Sequence, residues 1–434
     1  MDKMADVLGR AGAWCGQNKY LSAIKNAFQN FMPLTIAGAI GVLWCNVLVN
    51  ESTGLGIFFK PIMALEFLNP AFQAVNFCTI SCITVGITLG IAQEIGVWNM
   101  GAEKAGYIPG LVGLAAWLSV TNTSHMVDGA KEAFTGVAGN ELGATGLFTG
   151  MIIGVLSVEL FCFFEKQDAL KIKMPEQVPP GVARAFEVLV PATITLIITA
   201  CIGSACYNLT GLYLNDVIKN GIQGPLGAVG ATIPGVMIIY LVIMLFWLVG
   251  IHGNNMLSAV KEALFTPLAL ENVEKFNKGE KPTNIINMYA LQMWGEFGGS
   301  GVTIGLVIAI MIFGKREDNK AIATLSLVPG LFNINETVTF GIPMVLNPIL
   351  GIPFVFACLV TILVGYVLTV IGFCPVACLT VPWTTPPIVF GFLATGANVM
   401  GAVTQAILIV VSTVIYVPFL ISYEKYQNKQ AAEA

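Results

Sequence analysis

The chain alternates between long apolar stretches and short polar connections. No Asp, Glu, Lys or Arg occurs between Lys219 and Lys261, and none occurs between Glu336 and Glu424. Because about 20 apolar residues form a helix long enough to cross the hydrocarbon core of a membrane, this pattern predicts a series of transmembrane helices. The predicted spans lie near residues 30–50, 72–96, 105–121, 144–164, 187–211, 226–250, 300–314, 344–373 and 400–423. Shorter, interrupted apolar pieces lie near 252–270, 321–343 and 376–397.

Composition supports the same interpretation. Hydrophobic residues make up 56% of the 434 residues and charged residues only 11%, whereas roughly a quarter of the residues in a soluble domain are charged. The chain therefore lacks the polar residues that a water-exposed surface needs. A net charge of -4 without a basic patch argues against a nucleic-acid partner. We predict an all-α polytopic protein of the lipid bilayer.

Lysine and arginine residues predict the orientation of the chain, because cytoplasmic connections are enriched in them. Residues 1–26 carry four, the proline-rich connection at 165–186 carries four, and the three connections between them carry one each. Both rich segments, and the C-terminal tail with Lys425 and Lys429, are therefore predicted to be cytoplasmic. The mixture of basic and apolar residues at 1–26 predicts an amphipathic helix on the cytoplasmic surface.

Glu336 is the first candidate for a functional residue, because a carboxylate at membrane depth is costly and usually functional. Asn333 and Asn335 add amide groups beside it. Gly341 and Pro348 interrupt the helix, which lipid permits only where irregular backbone lines a protein cavity. This combination suits hydrogen bonding to sugar hydroxyls. The alternative is a glutamate that forms a structural pair at a helix end.

His252 is the second candidate, since it directly follows the apolar run that ends at Gly250. An imidazole there, next to the amide of Asn254, can orient a hydroxyl or take part in proton transfer. Trp247 precedes it by about one turn. The alternative is an interfacial histidine that faces lipid headgroups.

Aromatic and polar side chains complete the candidate site. Trp383 and Thr384 lie in an uncharged, proline-rich segment, and an indole ring can stack on the apolar face of a pyranose. For any single tryptophan the alternative is the aromatic belt at the membrane surface. Asn287 precedes the span at 300–314 and, together with Gln292 and Glu296, is a candidate extension of the site.

We predict neither a metal site nor a cofactor. The ten cysteines lie mostly in apolar segments, two pairs have C-x3-C spacing, and there are only two histidines, a poor basis for a zinc or redox site. None of the cysteines resembles a phosphoacceptor. A membrane-embedded enzyme needs a nucleophile or metal constellation, and the sequence does not suggest one.

Four segments resemble a known family. They are Ala23-Ile-Lys-Asn-(x5)-Met-Pro-Leu-Thr-Ile-Ala-Gly38, Gly250-Ile-His-Gly253, Asn333-Ile-Asn-Glu-(x4)-Gly-Ile-Pro-(x3)-Asn-Pro348 and Pro382-Trp-Thr-Thr-Pro386. The resemblance is to enzyme IIC, the membrane component of the bacterial phosphoenolpyruvate-dependent sugar phosphotransferase system (PTS), in its lactose, cellobiose and diacetylchitobiose branch. It extends over nearly the whole chain.

The resemblance implies a homodimer in the bacterial cytoplasmic membrane. Each chain is expected to have about ten transmembrane helices plus re-entrant hairpins in the C-terminal half. Residues 27–212, with about five spans, would serve as scaffold and dimer contact. Residues 213–434, with about five spans and two re-entrant hairpins, would carry the sugar.

The resemblance also implies a function. The protein would import a β-linked disaccharide of the cellobiose, diacetylchitobiose or lactose type. A phosphocysteine on a separate IIB protein, itself supplied by IIA, would phosphorylate the C6 hydroxyl at the cytoplasmic face, and Glu336 and His252 would hold that hydroxyl. No segment is large enough for a fused IIA or IIB domain, so we expect the donor to be another protein. The residues alone also allow an ion-coupled secondary sugar transporter with broken helices at mid-membrane.

Overall fold

The computed structural model describes residues 10, 14, 17–51, 56, 59–125, 134–175, 177–225, 230–342, 344–345 and 347–433. These residues are almost wholly helical. The longer helices are α1 Lys19–Leu43, α2 Asn69–Cys78, α3 Ile83–Met100, α4 Ile108–Val120, α5 Ala144–Glu165, α6 Pro180–Thr210, α7 Ile233–Leu248, α8 Ser258–Asn277, α9 Met288–Gly295, α10 Ile304–Phe313, α11 Glu317–Leu331, α12 Gly351–Val370 and α13 Val399–Glu433.

Shorter elements connect these helices. Short α-helices occupy Ala102–Ala105, Gly139–Leu142, Leu214–Ile218, Gly253–Met256, Glu336–Gly341 and Val389–Ala394. 3-10 helices occupy Lys60–Leu68, Ile80–Cys82, Asp168–Leu170 and Ser300–Val302. π-helical turns occupy Trp44–Leu48 and Lys219–Gln223. The strands of the described part are β1 Ser124–His125 and β2 Phe134–Thr135, which pair antiparallel with Ser124 opposite Thr135.

Six helices in the described part of the chain are long and apolar enough to cross a membrane. A seventh span is obtained if the pair Met288–Val302 and Ile304–Phe313, bent by 60°, is counted as one broken crossing. Two shorter apolar helices, Ile108–Val120 and Ile233–Leu248, accompany them. The all-α membrane fold is confirmed for these residues, while the count of ten spans stays a prediction.

Packing divides the described residues into two compact units. Unit one comprises the described residues of 17–38 and 74–227, in which α3, α4 and α5 pack against one another and α6 packs on α4. Trp117 is fully buried among these helices. A Cβ on Gly113 would lie 2.3 Å from the Cβ of Ala92, so glycine at this position permits the close approach of α4 to α3.

Unit two comprises the described residues of 1–16, 39–73 and 228–434. Its long helix α13 packs against α10 and α12, and α12 packs in turn against α7 and α9. The cavity described below lies wholly within this unit. The functional halves expected at 27–212 and 213–434 stay a prediction.

The local predictions have mixed outcomes. Helix α5 occupies the span predicted at 144–164 almost residue for residue. The apolar piece predicted at 252–270 breaks at Leu257, and α8 then continues to Asn277. Most of the surface helix predicted at 1–26 falls outside the described residues, and its last part is the start of α1.

Candidate functional site

A cavity of about 610 Å³ opens in unit two where regular helices give way to irregular backbone. Eight of the eleven candidate residues line it, and these are His252, Asn254, Gln292, Glu296, Asn333, Asn335, Glu336 and Trp383. The remaining lining residues are Asn255, Phe297, Gly299, Ser300, Ile334, Phe390 and Gln405. The wall is therefore rich in amides and carboxylates, with three aromatic rings among them.

His252 is held in place by the short helix that follows it. Helix α7 ends at Leu248, and His252 is the N-cap of Gly253–Met256. The main-chain N–H of Asn255 donates to Nδ1 of His252 over 3.3 Å. Since Nδ1 is an acceptor, a neutral ring carries its proton on Nε2. The ring packs on Trp247 at a tilt of 48°, with 4.4 Å between ring centroids.

Glu336 faces the free side of this imidazole. It begins the short helix Glu336–Gly341 after the break that follows α11. Its Oε1 lies 3.8 Å from Nε2 of His252, and the two side chains are 47% and 39% exposed. This distance is too long for a direct hydrogen bond, so a group placed between the two residues can contact both.

Asparagine side chains tie the segments around the cavity together. The amide of Asn333 accepts from the N–H of Gly298 over 2.7 Å and donates to the carbonyl oxygens of Trp383 and Thr385. Asn333 adopts the left-handed conformation, with φ 62°, which asparagine tolerates better than most residues. Its amide is therefore used to join three segments of main chain.

Ser300 is the anchor for two further amides. Asn335 donates to the carbonyl oxygen of Ser300 over 2.9 Å, and Asn254 donates to its hydroxyl over 3.0 Å. Both flanking residues, Gly299 and Gly301, have φ near +80°, at 88° and 75°. A Cβ would lie 2.6 Å from Asn335 at the first and 2.4 Å from Phe354 at the second. Only glycine fits this turn without strain.

Gln405 supports the segment that carries Trp383. Its side-chain oxygen accepts from the N–H groups of Ile388 and Gly391, each over 2.7 Å, and its amide donates to the carbonyl of Met293. Ile388 has φ 75°, a strained conformation for a β-branched residue. The sequence prediction missed Gln405, although a lone glutamine in the uncharged run after Glu336 was a usable signal.

A second charged group borders the cavity. Glu296 pairs with Lys261 and accepts a hydrogen bond from the hydroxyl of Tyr240 over 2.6 Å. Lys261 comes from α8, Tyr240 from α7 and Glu296 from the end of α9. No local sequence pattern links these three residues.

Three candidates do not line the cavity. Trp247 lies behind the ring of His252 and is 3% exposed. Thr384 is half-buried beside Trp383. Asn287 is fully buried, and its side chain caps α9 and donates to the carbonyls of Asn284 and Ala377. We therefore assign Asn287 a structural role and leave it out of the site.

The described residues hold no cluster of three or more His, Cys, Asp or Glu that could bind a metal ion. The groups that do converge are hydrogen-bond donors and acceptors, a carboxylate facing an imidazole, and aromatic rings. Such a wall suits a ligand with many hydroxyl groups and apolar ring faces.

Comparison with known proteins identifies the family. The family described as phosphotransferase system, EIIC, matches residues 25–358. The chain belongs to this family. It is 33% identical to the oligo-beta-mannoside-specific EIIC component of Bacillus subtilis (strain 168), over 98% of this chain and 94% of that protein. It is 29% identical to the cellobiose-specific EIIC component of Lactococcus lactis subsp. lactis (strain IL1403), over 98% of each.

The EIIC fold is also seen in a solved structure. The crystal structure of the transporter ChbC, the IIC component from the N,N'-diacetylchitobiose-specific phosphotransferase system, matches with a TM-score of 0.88 and 29% identity, over 97% of both chains. This EIIC protein is accordingly a multi-pass membrane component of a sugar PTS. Membership of the family implies a sugar substrate and a IIB partner.

Proposed function

We propose that this EIIC protein imports a β-linked disaccharide and presents its C6 hydroxyl to the phosphocysteine of IIB at the cytoplasmic face. The relatives named for oligo-β-mannosides, cellobiose and diacetylchitobiose support a β-linked substrate. The gap between His252 and Glu336 is the observation that carries the proposal.

That gap matches the size of one hydroxyl group. An oxygen atom can lie at about 2.8 Å, an ordinary hydrogen-bond distance, from both Nε2 of His252 and Oε1 of Glu336 when these are 3.8 Å apart. The Nε2–H group would donate to the hydroxyl oxygen, and the hydroxyl would donate to the carboxylate. A hydroxyl held in this way has its second lone pair free to attack phosphorus.

The transfer follows from these contacts. The C6 oxygen would form a bond to phosphorus as the S–P bond of phosphocysteine breaks, which leaves the IIB cysteine as a thiolate. The hydroxyl proton would pass to Glu336, acting as general base. His252 would orient the oxygen, since its own proton is fixed on Nε2 by the hydrogen bond that Nδ1 accepts.

The remaining lining residues suit the rest of a sugar. Trp383 is 44% exposed, which leaves its indole face available for stacking on a pyranose ring. The cavity volume of about 610 Å³ lies within the range of about 300–1,000 Å³ found for pockets that enclose small ligands. We propose direct sugar contacts for Trp383 and Asn254, and supporting roles for Asn333 and Asn335.

The architecture expected of the family completes the proposal. We propose a homodimer with about ten spans per chain and re-entrant hairpins, and with both termini in the cytoplasm. Residues 27–212 would form the scaffold and residues 213–434 the sugar-carrying half. IIA would supply IIB with its phosphoryl group.

Sugar binding by the purified protein tests the site. Cellobiose, diacetylchitobiose and lactose would be titrated in turn into wild type, Glu336→Gln and His252→Ala. We expect at least one sugar to bind, and either substitution to weaken its binding tenfold or more, about 1.4 kcal/mol. Glu317→Gln and His125→Ala are matched controls, because Glu317 is exposed and His125 lies in unit one.

Two results would count against the proposal. If both site variants bound sugar like wild type, the assignment of Glu336 and His252 would be wrong. If proteoliposomes without IIA and IIB accumulated sugar on a proton or sodium gradient, the ion-coupled alternative would replace the PTS mechanism.

A further inference from the structure

Glu296 is a second carboxylate at the cavity, and its two oxygens have different surroundings. The hydroxyl of Tyr240 and the ammonium of Lys261 both bond Oε1. Within the described part of the chain, these are the hydrogen bonds that the carboxylate makes. Because Glu296 lines the cavity, Oε2 is left as an acceptor that a ligand can reach.

Lys261 and Tyr240 explain how a carboxylate can be kept at this position. The side chains of Lys261 and Glu296 are only 7% and 17% exposed, and a buried carboxylate without a partner would be strongly unfavourable. The pair is neutral overall, yet the lone pairs of Oε2 are not used. An ionised acceptor of this kind forms stronger hydrogen bonds than a neutral one.

Gln292 extends the same wall. It precedes Glu296 by four residues, so the two side chains lie on one face at the end of α9. Both residues line the cavity. The side-chain oxygen of Gln292 is buried without a hydrogen-bond donor among the described residues. This wall therefore presents two neighbouring acceptors, whereas His252 presents a donor.

We propose that Glu296 determines sugar specificity: its Oε2 accepts a hydrogen bond from a ring hydroxyl other than C6, and Gln292 accepts one from a neighbouring donor. The inference rests on the proposed function, in which Glu336 and His252 hold the C6 hydroxyl. A pair of acceptors selects sugars with two adjacent donor groups at this wall. Lys261 and Tyr240 are positioning residues that hold Glu296 by its other oxygen.

A pair of variants tests the role of Glu296. In Glu296→Gln, Lys261 and Tyr240 still require an acceptor, so the amide oxygen turns toward them and the NH2 group faces the sugar. The double variant Lys261→Met/Glu296→Gln also removes the ammonium group, so it leaves no unpaired positive charge in the protein interior. We expect both variants to bind sugar at least tenfold more weakly than wild type. Glu262→Gln is the matched control, because Glu262 bonds Thr266 and does not line the cavity.

Deoxy sugars locate the contact without any substitution in the protein. For the disaccharide that binds wild type, at least one monodeoxy analogue other than the C6 analogue should bind tenfold more weakly. On the double variant, the same analogue should bind only slightly more weakly than the parent sugar. The contact that the analogue lacks is already absent from this variant. The C6-deoxy analogue should lose affinity equally on wild type and on the double variant.

The outcomes separate this inference from the proposed function. If wild type binds no sugar, the proposed function fails and the inference falls with it. If wild type binds sugar and the folded double variant binds within about twofold of it, Glu296 is only a partner of Lys261 and the inference is overturned. If neither variant folds, the deoxy series on wild type tests the inference. Equal affinity for the parent sugar and for every analogue other than the C6-deoxy sugar would overturn the inference.

Discussion

The side-chain amide of Asn333 donates a hydrogen bond to the main-chain carbonyl of Thr385 over 3.0 Å. The two residues belong to different broken segments, and the same amide also accepts from Gly298. Asn333 thus holds the tryptophan-bearing segment against the turn that anchors Asn335. Its effect on a ligand would be exerted through Trp383.

Replacing Asn333 should therefore weaken sugar binding. Asn333→Gly removes the amide and keeps a residue that accepts φ 62°, whereas Asn333→Ala adds backbone strain of about 1 kcal/mol or more. We expect both variants to bind sugar at least about tenfold more weakly and the alanine variant to have the lower Tm. Titration and thermal unfolding measure the two effects.

A double-mutant cycle distinguishes positioning from direct contact. If Asn333 acts by holding Trp383, the losses of Asn333→Gly and Trp383→Ala will not add. Additive losses would mean that Asn333 contacts the sugar independently. Asn208→Ala, an exposed amide of unit one, should leave binding unchanged.

Gln405→Leu should destabilise unit two. It leaves the N–H groups of Ile388 and Gly391 without their acceptor, and each unpaired buried donor costs about 1–3 kcal/mol. Gln405→Glu keeps that acceptor but places a buried carboxylate without a cationic partner against the carbonyl of Met293, so its Tm should fall as well. Gln430→Leu, exposed on the same helix, is the control; an unchanged Tm in Gln405→Leu would contradict the prediction.

Gly365→Ala should disturb the packing of α12 on α9. A Cβ there would lie 2.4 Å from the ring of Trp294, which is 1% exposed, and such overpacking costs about 1–3 kcal/mol. Because α9 carries Gln292 and leads to Glu296, sugar affinity should fall together with Tm. In Gly181→Ala, by contrast, the added Cβ meets nothing within 4 Å, so that variant should be as stable as wild type or more stable.

Glu424→Ala should lower stability without changing the site. The carboxylate of Glu424 is 6% exposed and accepts from the N–H groups of Lys315 and Arg316 and from the amide of Asn319. Losing it should destabilise the fold by about 2–3 kcal/mol, measured as a lower Tm. Sugar affinity, measured where the variant is folded, should change less than about twofold. Glu433→Ala, on the exposed end of the same helix, should have the Tm of wild type.

Spacing between charges predicted the helices well where most of a helix is uncharged. Helix α5 has no charged residue before Glu159 and was predicted nearly to the residue. The extent of α8 could not be predicted, because Lys261 and Glu262 near its start are typical of a polar connection. The partner that allows Lys261 to be buried, Glu296, is distant in sequence.

Glu336 could be singled out as the centre of the candidate site because it is isolated among uncharged residues. Asn287 was also a candidate because the polar residues Gln292 and Glu296 follow it in sequence, but its side chain caps α9. An asparagine before a helix is a good N-cap and a good ligand contact alike, and only the tertiary direction of the side chain separates the two. The hydrogen bonds from Asn333 to the carbonyls of Trp383 and Thr385 likewise join residues that are distant in sequence, and no local pattern predicts them.

The turn through Gly299 and Gly301 limits how this protein can change its substrate. Neither glycine can acquire a side chain, because the space is already filled by Asn335 and Phe354. This part of the wall cannot be enlarged, narrowed or recharged by a point substitution. A new preference among sugars would have to arise from lining residues that carry variable side chains, such as Gln292, and these are the positions to vary when selectivity is engineered.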